Sequence, residues 1–205
     1  MTNTKNGLIL GFIIIFGVFL GISHSGCNPI DQRYYTHLDT LENKLMETGQ
    51  FLSIDVSTIS IREQVIFDHM RYIDMFYEGD MPKEFGNSLA KYKGIKKAYK
   101  HFLSQYASIF NEMKSLEIQV QNLRQSVDNQ ELTKEEFKKY YTTELADIEA
   151  NRLAAEQLAH SIHSLEPEYQ RISRTMMTTL DRLAESNDRL REILDNYNSE
   201  PDTTN

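Results

Sequence analysis

Three histidines, His101, His160 and His163, have the residue type and spacing that could do chemistry. His160 and His163 stand three apart, which on a helix puts both imidazoles on one face and allows two metal ligands. Glu156 lies one turn before His160. If the helices carrying them form an antiparallel hairpin, His101 falls level with His160, and a three-histidine zinc or copper site comes within reach. The same residues also read as half-exposed side chains flanking an apolar stripe. A di-iron bundle would need Glu-x-x-His on two helices, and the residue at that spacing before His160 is Gln157. The sequence has no nucleophile elbow, phosphate-cradling glycine loop, pair of catalytic carboxylates or Cys/His zinc ribbon. That argues against an enzyme, and no cofactor is expected.

Lys91, Lys93, Lys96, Lys97 and Lys100 form the one dense basic run. Helical spacing puts Lys93, Lys97 and Lys100 on an outer face and turns Tyr92 and Tyr99 towards the core. Such a face suits an anion or lipid headgroups, or else it is a solvated face that meets the acids of a neighbouring helix.

The single cysteine, Cys27, excludes an intrachain disulfide, and its surroundings are informative. Lys5 is followed by sixteen apolar or glycine residues from Gly7 to Ile22, then by Ser23-His24-Ser25-Gly26-Cys27. That length suits a signal peptide and is near the short limit for a membrane span. Ser25-Gly26-Cys27 resembles the end of the lipobox of bacterial lipoprotein signal peptides. There, small residues precede the cysteine that is acylated and becomes the new N-terminus. The resemblance covers about the first thirty residues, and His24 stands where the motif usually carries Leu or another aliphatic residue. It implies a signal peptide over 1–26, lipidation at Cys27 and a tether over 27–30. The alternative is an uncleaved signal anchor, with Cys27 an incidental thiol. In either case Lys5 holds the start of the chain inside and the remainder sits outside the cytoplasmic membrane, in the bacterial cell envelope.

The elements that would position these residues are helices. Between Thr133 and Tyr197, apolar or small residues recur at steps of three, four or seven, from Phe137 and Tyr141 to Leu190 and Leu194. A single helix of that length would be roughly 95 Å long, too long for a globular core, so another long helix must cover its stripe. The patterns predict helices over about 31–48, 60–78, 82–127 and 134–197, and a disordered tail over 198–205. Ser60-Ile61-Arg62-Glu63 reads as the capping box of the second helix and Thr133-Lys134-Glu135-Glu136 as that of the fourth. The apolar steps run through Pro167 without a change of phase, so the fourth helix is expected to kink there and continue.

A short turn after Val127 makes the last two helices an antiparallel hairpin, with Phe110 level with Asn151 and Tyr92 level with Tyr169. Ten of the eighteen aromatic residues after Cys27 lie between Phe67 and Phe110, which predicts a thick body there. The hairpin tip, about 111–150, is then expected to project as a narrower two-helix arm. The expected fold is all-α, an elongated antiparallel helical bundle with a long coiled-coil-like hairpin.

Removing the first 26 residues leaves 21 basic against 30 acidic residues, which argues against a nucleic-acid partner, and none is expected. The reading that follows is a non-enzymatic envelope lipoprotein, held to a membrane through Cys27, that serves protein partners as scaffold, spacer or adaptor. Leftover apolar surface leaves room for a homo-oligomer. The alternatives are a metal-binding envelope protein using His101, His160 and His163, and an uncleaved single-pass coiled-coil protein.

Overall fold

A computed structural model describes residues 32–199, with side chains as far as Asn196. The signal segment, Cys27, the tether and the end of the tail lie outside the described residues. Five helices follow one another: α1 (Gln32–Phe51), α2 (Val56–Phe76), α3 (Lys83–Asp128), α4 (Lys134–Glu185) and α5 (Asp188–Ser199). Among the described residues there is no strand, and no helix is long and apolar enough to cross a membrane. The fold is an all-α bundle.

The hairpin of α3 and α4 forms the frame. It turns through Asn129 and Gln130, the latter in the left-handed region at φ 56°, and the Glu131 N–H donates to the Ser126 carbonyl at 3.0 Å. Thr133 and Glu136 then close the capping box in both directions, at 2.8 and 3.3 Å, and start α4. The antiparallel register agrees with the expectation to within a residue, since Asn151 Nδ2 donates to the Ile109 carbonyl at 3.2 Å. At 46 and 52 residues, α3 and α4 extend for about 69 and 78 Å. α4 continues through Pro167.

Its end corrects the expected single helix over 134–197. α4 stops at Glu185, and α5 begins after Asn187, whose Oδ1 accepts from the Leu190 N–H at 3.0 Å. Asn is among the strongest N-caps, and here it satisfies a donor that a continuous helix would not need it for. Arg191 turns back to donate to the Ala184 and Glu185 carbonyls at 3.1 and 3.0 Å, which closes the end of α4.

The remaining two helices lie end to end in the groove of this hairpin. α1 runs parallel to α4: Tyr34 stacks on Phe137 with centroids 4.2 Å apart, and Lys44 reaches Glu149 at 2.8 Å. On α2, Arg62 pairs with Glu166. The sequence separations of these two ion pairs are 105 and 104, so α1 and α2 keep one phase along α4 despite the break between them. Against α3 both run antiparallel, through Arg124 with Asp39 and Glu42, and through the stacked rings of Tyr77 and Phe85.

The tip is therefore not a two-helix arm. Leu38, Leu41 and Leu45 of α1, with Leu52 just beyond its end, close over Met113, Leu116, Val120, Leu123 and Val127 of α3 and over Phe137 and Ile148 of α4. Each buried leucine contributes about 1.5–3 kcal/mol, so a leucine helix covers the stripe as well as α2 does further along with Ile59, Ile66, Tyr72 and Ile73. A second cluster, built from α2, the first half of α3, the later half of α4 and α5, includes Tyr92, Tyr99, Phe102, Ile172 and Leu180.

α2 also begins four residues ahead of the Ser60 box. Asp55 is its N-cap, accepting from the Thr58 N–H at 3.1 Å and from the Ser57 and Thr58 hydroxyls at 2.6 and 2.5 Å. Those donors hold its carboxyl at about 2, well below the usual range. Three local donors outcompete the single reciprocal pair that a Ser60 box offers.

Within the second cluster His69 is buried, with Nδ1 3.1 Å from the Tyr92 hydroxyl. Burial pushes its pKa down from 6.5 to about 4, against the opposing field of Asp68. The unfolded chain binds this proton near pH 6.5 and the folded chain only near 4. The stability it contributes is therefore complete above pH 6.5 and lost as pH falls towards 4. We expect denaturant titrations to show about 2–3 kcal/mol lost across that window on this account, and His69→Gln to flatten the slope. An unchanged slope would show that His69 is not held neutral.

Candidate functional site

Where the third helical layer of the rod is broken, between α1 and α2, the structure leaves a hollow. Leu52 is buried and follows the last residue of α1, Asp55 caps α2, and the backbone between them makes short-range bonds, including Ile54 N–H to Leu52 carbonyl at 2.8 Å. The Tyr106 hydroxyl, from α3, donates to the Leu52 carbonyl at 3.0 Å and satisfies an acceptor that the broken helix exposes. Beside this gap α4 passes with its Glu156–His163 segment. The open volume between them is ≈ 690 Å³, lined by Gln50, Phe51, Ser53 and Ile54 on one side and by Glu156, Gln157, Ala159, His160, Ser161 and His163 on the other.

Two of the three histidines singled out by spacing thus share one wall of the hollow, and both are exposed. His101 is exposed on α3 and is not among the lining residues. Among the described residues no group of three or more His, Cys, Asp or Glu side chains stands where it could hold a metal ion. The expected three-histidine constellation is therefore not assembled: level in register is not the same as facing, and α3 turns His101 outward at that level. Glu156, the fourth residue considered, is tied to Arg152 at 3.2 Å.

The hydroxyls of the hollow are committed to the backbone. Ser161 Oγ donates to the Leu158 carbonyl at 2.8 Å, and Ser53 Oγ to the Gln50 carbonyl at 2.7 Å. Neither is aligned with a base, so the arrangement lacks an activated nucleophile. It offers amide and imidazole edges over an apolar floor of Phe51, Ile54 and Ala159.

Next to the hollow a buried polar residue, Asn151, is flanked by a half-exposed ion-pair bridge. Asn151 is 2 % exposed, and its Oδ1 has no hydrogen-bond partner among the described residues. Glu149 accepts from Arg152 at 2.8 Å and from Lys44 at 2.8 Å, and these cations hold its carboxyl at about 2. The polar interruption between Glu149 and Arg152, visible in the sequence as a gap in the apolar stripe, is thus a bridge from α4 to α1. One turn nearer the tip, burial raises the pKa of Glu144.

The lysine run behaves as its spacing predicts. Tyr92 and Tyr99 are buried while Lys93, Lys97 and Lys100 are exposed. Lys91 and Lys96 meet Glu168 and Glu63 at 3.6 and 3.7 Å, and Lys96 sits 4.1 Å over the Phe67 ring. No acid occurs between Glu84 and Glu112, so the outer face of this part of α3 is basic on an otherwise acidic chain.

No protein-family model, characterised protein or solved structure matches this chain. The residues that sequence reasoning missed in this region are Gln50, Phe51, Ser53 and Ile54. The signal that could have found them lies in segment 50–60, where Phe51, Ile54, Val56 and Ile59 are strand-friendly but the sequence offers no second such run to pair with them; it marks the break between α1 and α2.

Two substitutions separate structural from surface roles here. Tyr106→Phe should lower stability by about 1 kcal/mol, since it removes the one side-chain donor to the Leu52 carbonyl. The double change His160→Ala/His163→Ala should move it by less than about 0.5 kcal/mol. A large loss from the histidine pair in thermal unfolding would show that the imidazoles hold the bundle together.

Proposed function

We propose that this chain is a non-enzymatic, membrane-anchored rod of the bacterial cell envelope, lipidated at Cys27, that serves as a scaffold, spacer or adaptor for protein partners. One combination of observations supports the reading. A helical bundle about 78 Å long follows directly on a sixteen-residue apolar run and the only cysteine of the chain. A rod of three helices spends its apolar surface on covering itself along its length, which leaves polar flanks suited to docking rather than a deep catalytic cleft. The exposed large apolar side chains, among them Met46 of α1, Ile61, Phe67 and Met75 of α2, Phe110 and Ile118 of α3 and Leu153 of α4, are spread over four helices, as on an ordinary solvated surface. The strip of Lys93, Lys97 and Lys100 is the face best suited to an acidic protein partner. The excess of acids speaks against nucleic acid.

The test begins with the mass of the mature protein. A chain starting at Cys27 with a diacylglyceryl group is expected, and Cys27→Ser should move the protein out of the membrane fraction. An intact chain of full sequence mass would replace the lipid by a protein span. A cleaved, unlipidated and soluble product would remove the anchored reading altogether. Crosslinking in cells, followed by identification of the attached proteins, then tests the adaptor role, and finding no crosslinked partner would contradict it.

A further inference from the structure

α1 emerges at the hairpin turn, and this sets which end of the rod a membrane can hold. Tyr35, in the first turn of α1, donates its hydroxyl to Asp128 Oδ1 at 2.7 Å, at the last residue of α3. Its neighbour Tyr34 lies flat on Phe137 in the first turn of α4. Gln32 is only five residues beyond Cys27, a stretch that spans at most about 18 Å even when fully extended. If the apolar run ending at Ile22 were instead retained as a span, ten residues would separate it from Gln32, or at most about 36 Å. Either distance is well short of the rod's length of about 78 Å.

We propose that the α3–α4 turn is the membrane-facing end, resting on the phospholipid leaflet that holds the anchor, and that the rod stands away from it. The proposal rests on the anchored reading above. The first turns of α4 carry Lys134, Lys138 and Lys139, all exposed, beside Tyr140 at 45 % exposure. Lysines with an amphipathic ring are what a headgroup layer accepts. Asp128, Glu131, Glu135 and Glu136, also exposed, offset those charges, so it is the short reach of the anchor and not a net positive charge that holds this end at the leaflet. An alternative in which the rod lies flat lacks support in its surface. Its exposed apolar residues do not form the continuous face that a surface-lying helix buries. The excess of acids over bases in the chain after Cys27 is repelled by an anionic leaflet.

The upright rod has a consequence for the basic strip. Lys100 and Lys93 lie 28 and 35 residues along α3 from Asp128, or about 42 and 52 Å from the turn, several Debye lengths above the leaflet. The strip therefore faces whatever stands beside the rod rather than the lipid that anchors it. The far end, with the α2–α3 link and the α4–α5 junction, is displayed about 75 Å out.

The full chain reconstituted in phosphatidylethanolamine/phosphatidylglycerol vesicles, with a quencher on the lipid headgroups, tests this directly. Fluorophores are placed singly through Asn129→Cys at the turn, Ser104→Cys at mid-rod and Ser186→Cys at the far end, with Cys27→Ser added to each if the mass shows Cys27 to be unlipidated in a retained span. Quenching should be several-fold stronger at 129 than at 104, and at 186 should equal that of the protein free in detergent. Vesicle-bound protein quenched equally at 129 and 186, or more at 186, overturns the orientation while leaving the anchor intact. Protein that does not stay with the vesicles overturns the anchored reading and this inference with it.

Discussion

The constraint on which the structure depends is the need to cover one apolar stripe, continuous for most of the length of α3 and α4, with a third layer of side chains. Two helices alone bury only the seam between them, and residues beside the seam such as Leu116, Val120 and Ile148 stay wet unless a third helix closes over them. Leaving seven or eight such side chains exposed would forfeit of the order of 10–20 kcal/mol. The chain meets this need with two helices rather than one. α1 and α2 occupy the same groove in the same phase, and the separations of 105 for Lys44–Glu149 and 104 for Arg62–Glu166 record this.

Covering a straight groove with two segments forces a discontinuity, and the polar features of the molecule gather there. The broken end of α1 exposes a carbonyl that Tyr106 satisfies. Asp55 supplies the start of α2, and the gap beside it becomes the hollow walled by His160 and His163. The buried Asn151 and the Lys44–Glu149–Arg152 bridge lie on the same stretch of α4. On either side the core divides into a leucine-rich cluster towards the turn and an aromatic cluster towards the far end. Tyr106 and Ile109 pack against both. Each half thus has its own packing, joined by two unbroken helices.

Much of this frame is legible in the sequence because it depends on periodicity and on local chemistry. The stripe from Met113 to Val127, the Thr133–Glu136 box and the passage of α4 through Pro167 are read from spacing alone, and the hairpin register follows from the short turn. What escapes is whatever depends on one helix choosing among several faces. Nothing in the spacing of Leu38, Leu41 and Leu45 says that α1 folds back to the hairpin turn, and aromatic content misleads because leucine fills a three-helix core equally well. Asp55 and Asn187 are not legible as N-caps because an apolar pattern continues past each of them, while the backbone answers to the nearest good acceptor. The histidine constellation fails for a related reason: register fixes height along a rod but not direction around it, so His101 can be level with His160 and still point elsewhere.

The central claim is that α1 is a permanent third helix over the turn half of the hairpin and not a loosely attached leader to α2. Amide hydrogen exchange resolved along the chain tests it most directly. The account predicts that the amides of Leu38, Leu41 and Leu45 exchange as slowly as those of Val120 and Ile148, in a single cooperative unit. Fast exchange throughout α1, with α3 and α4 still protected, would contradict it.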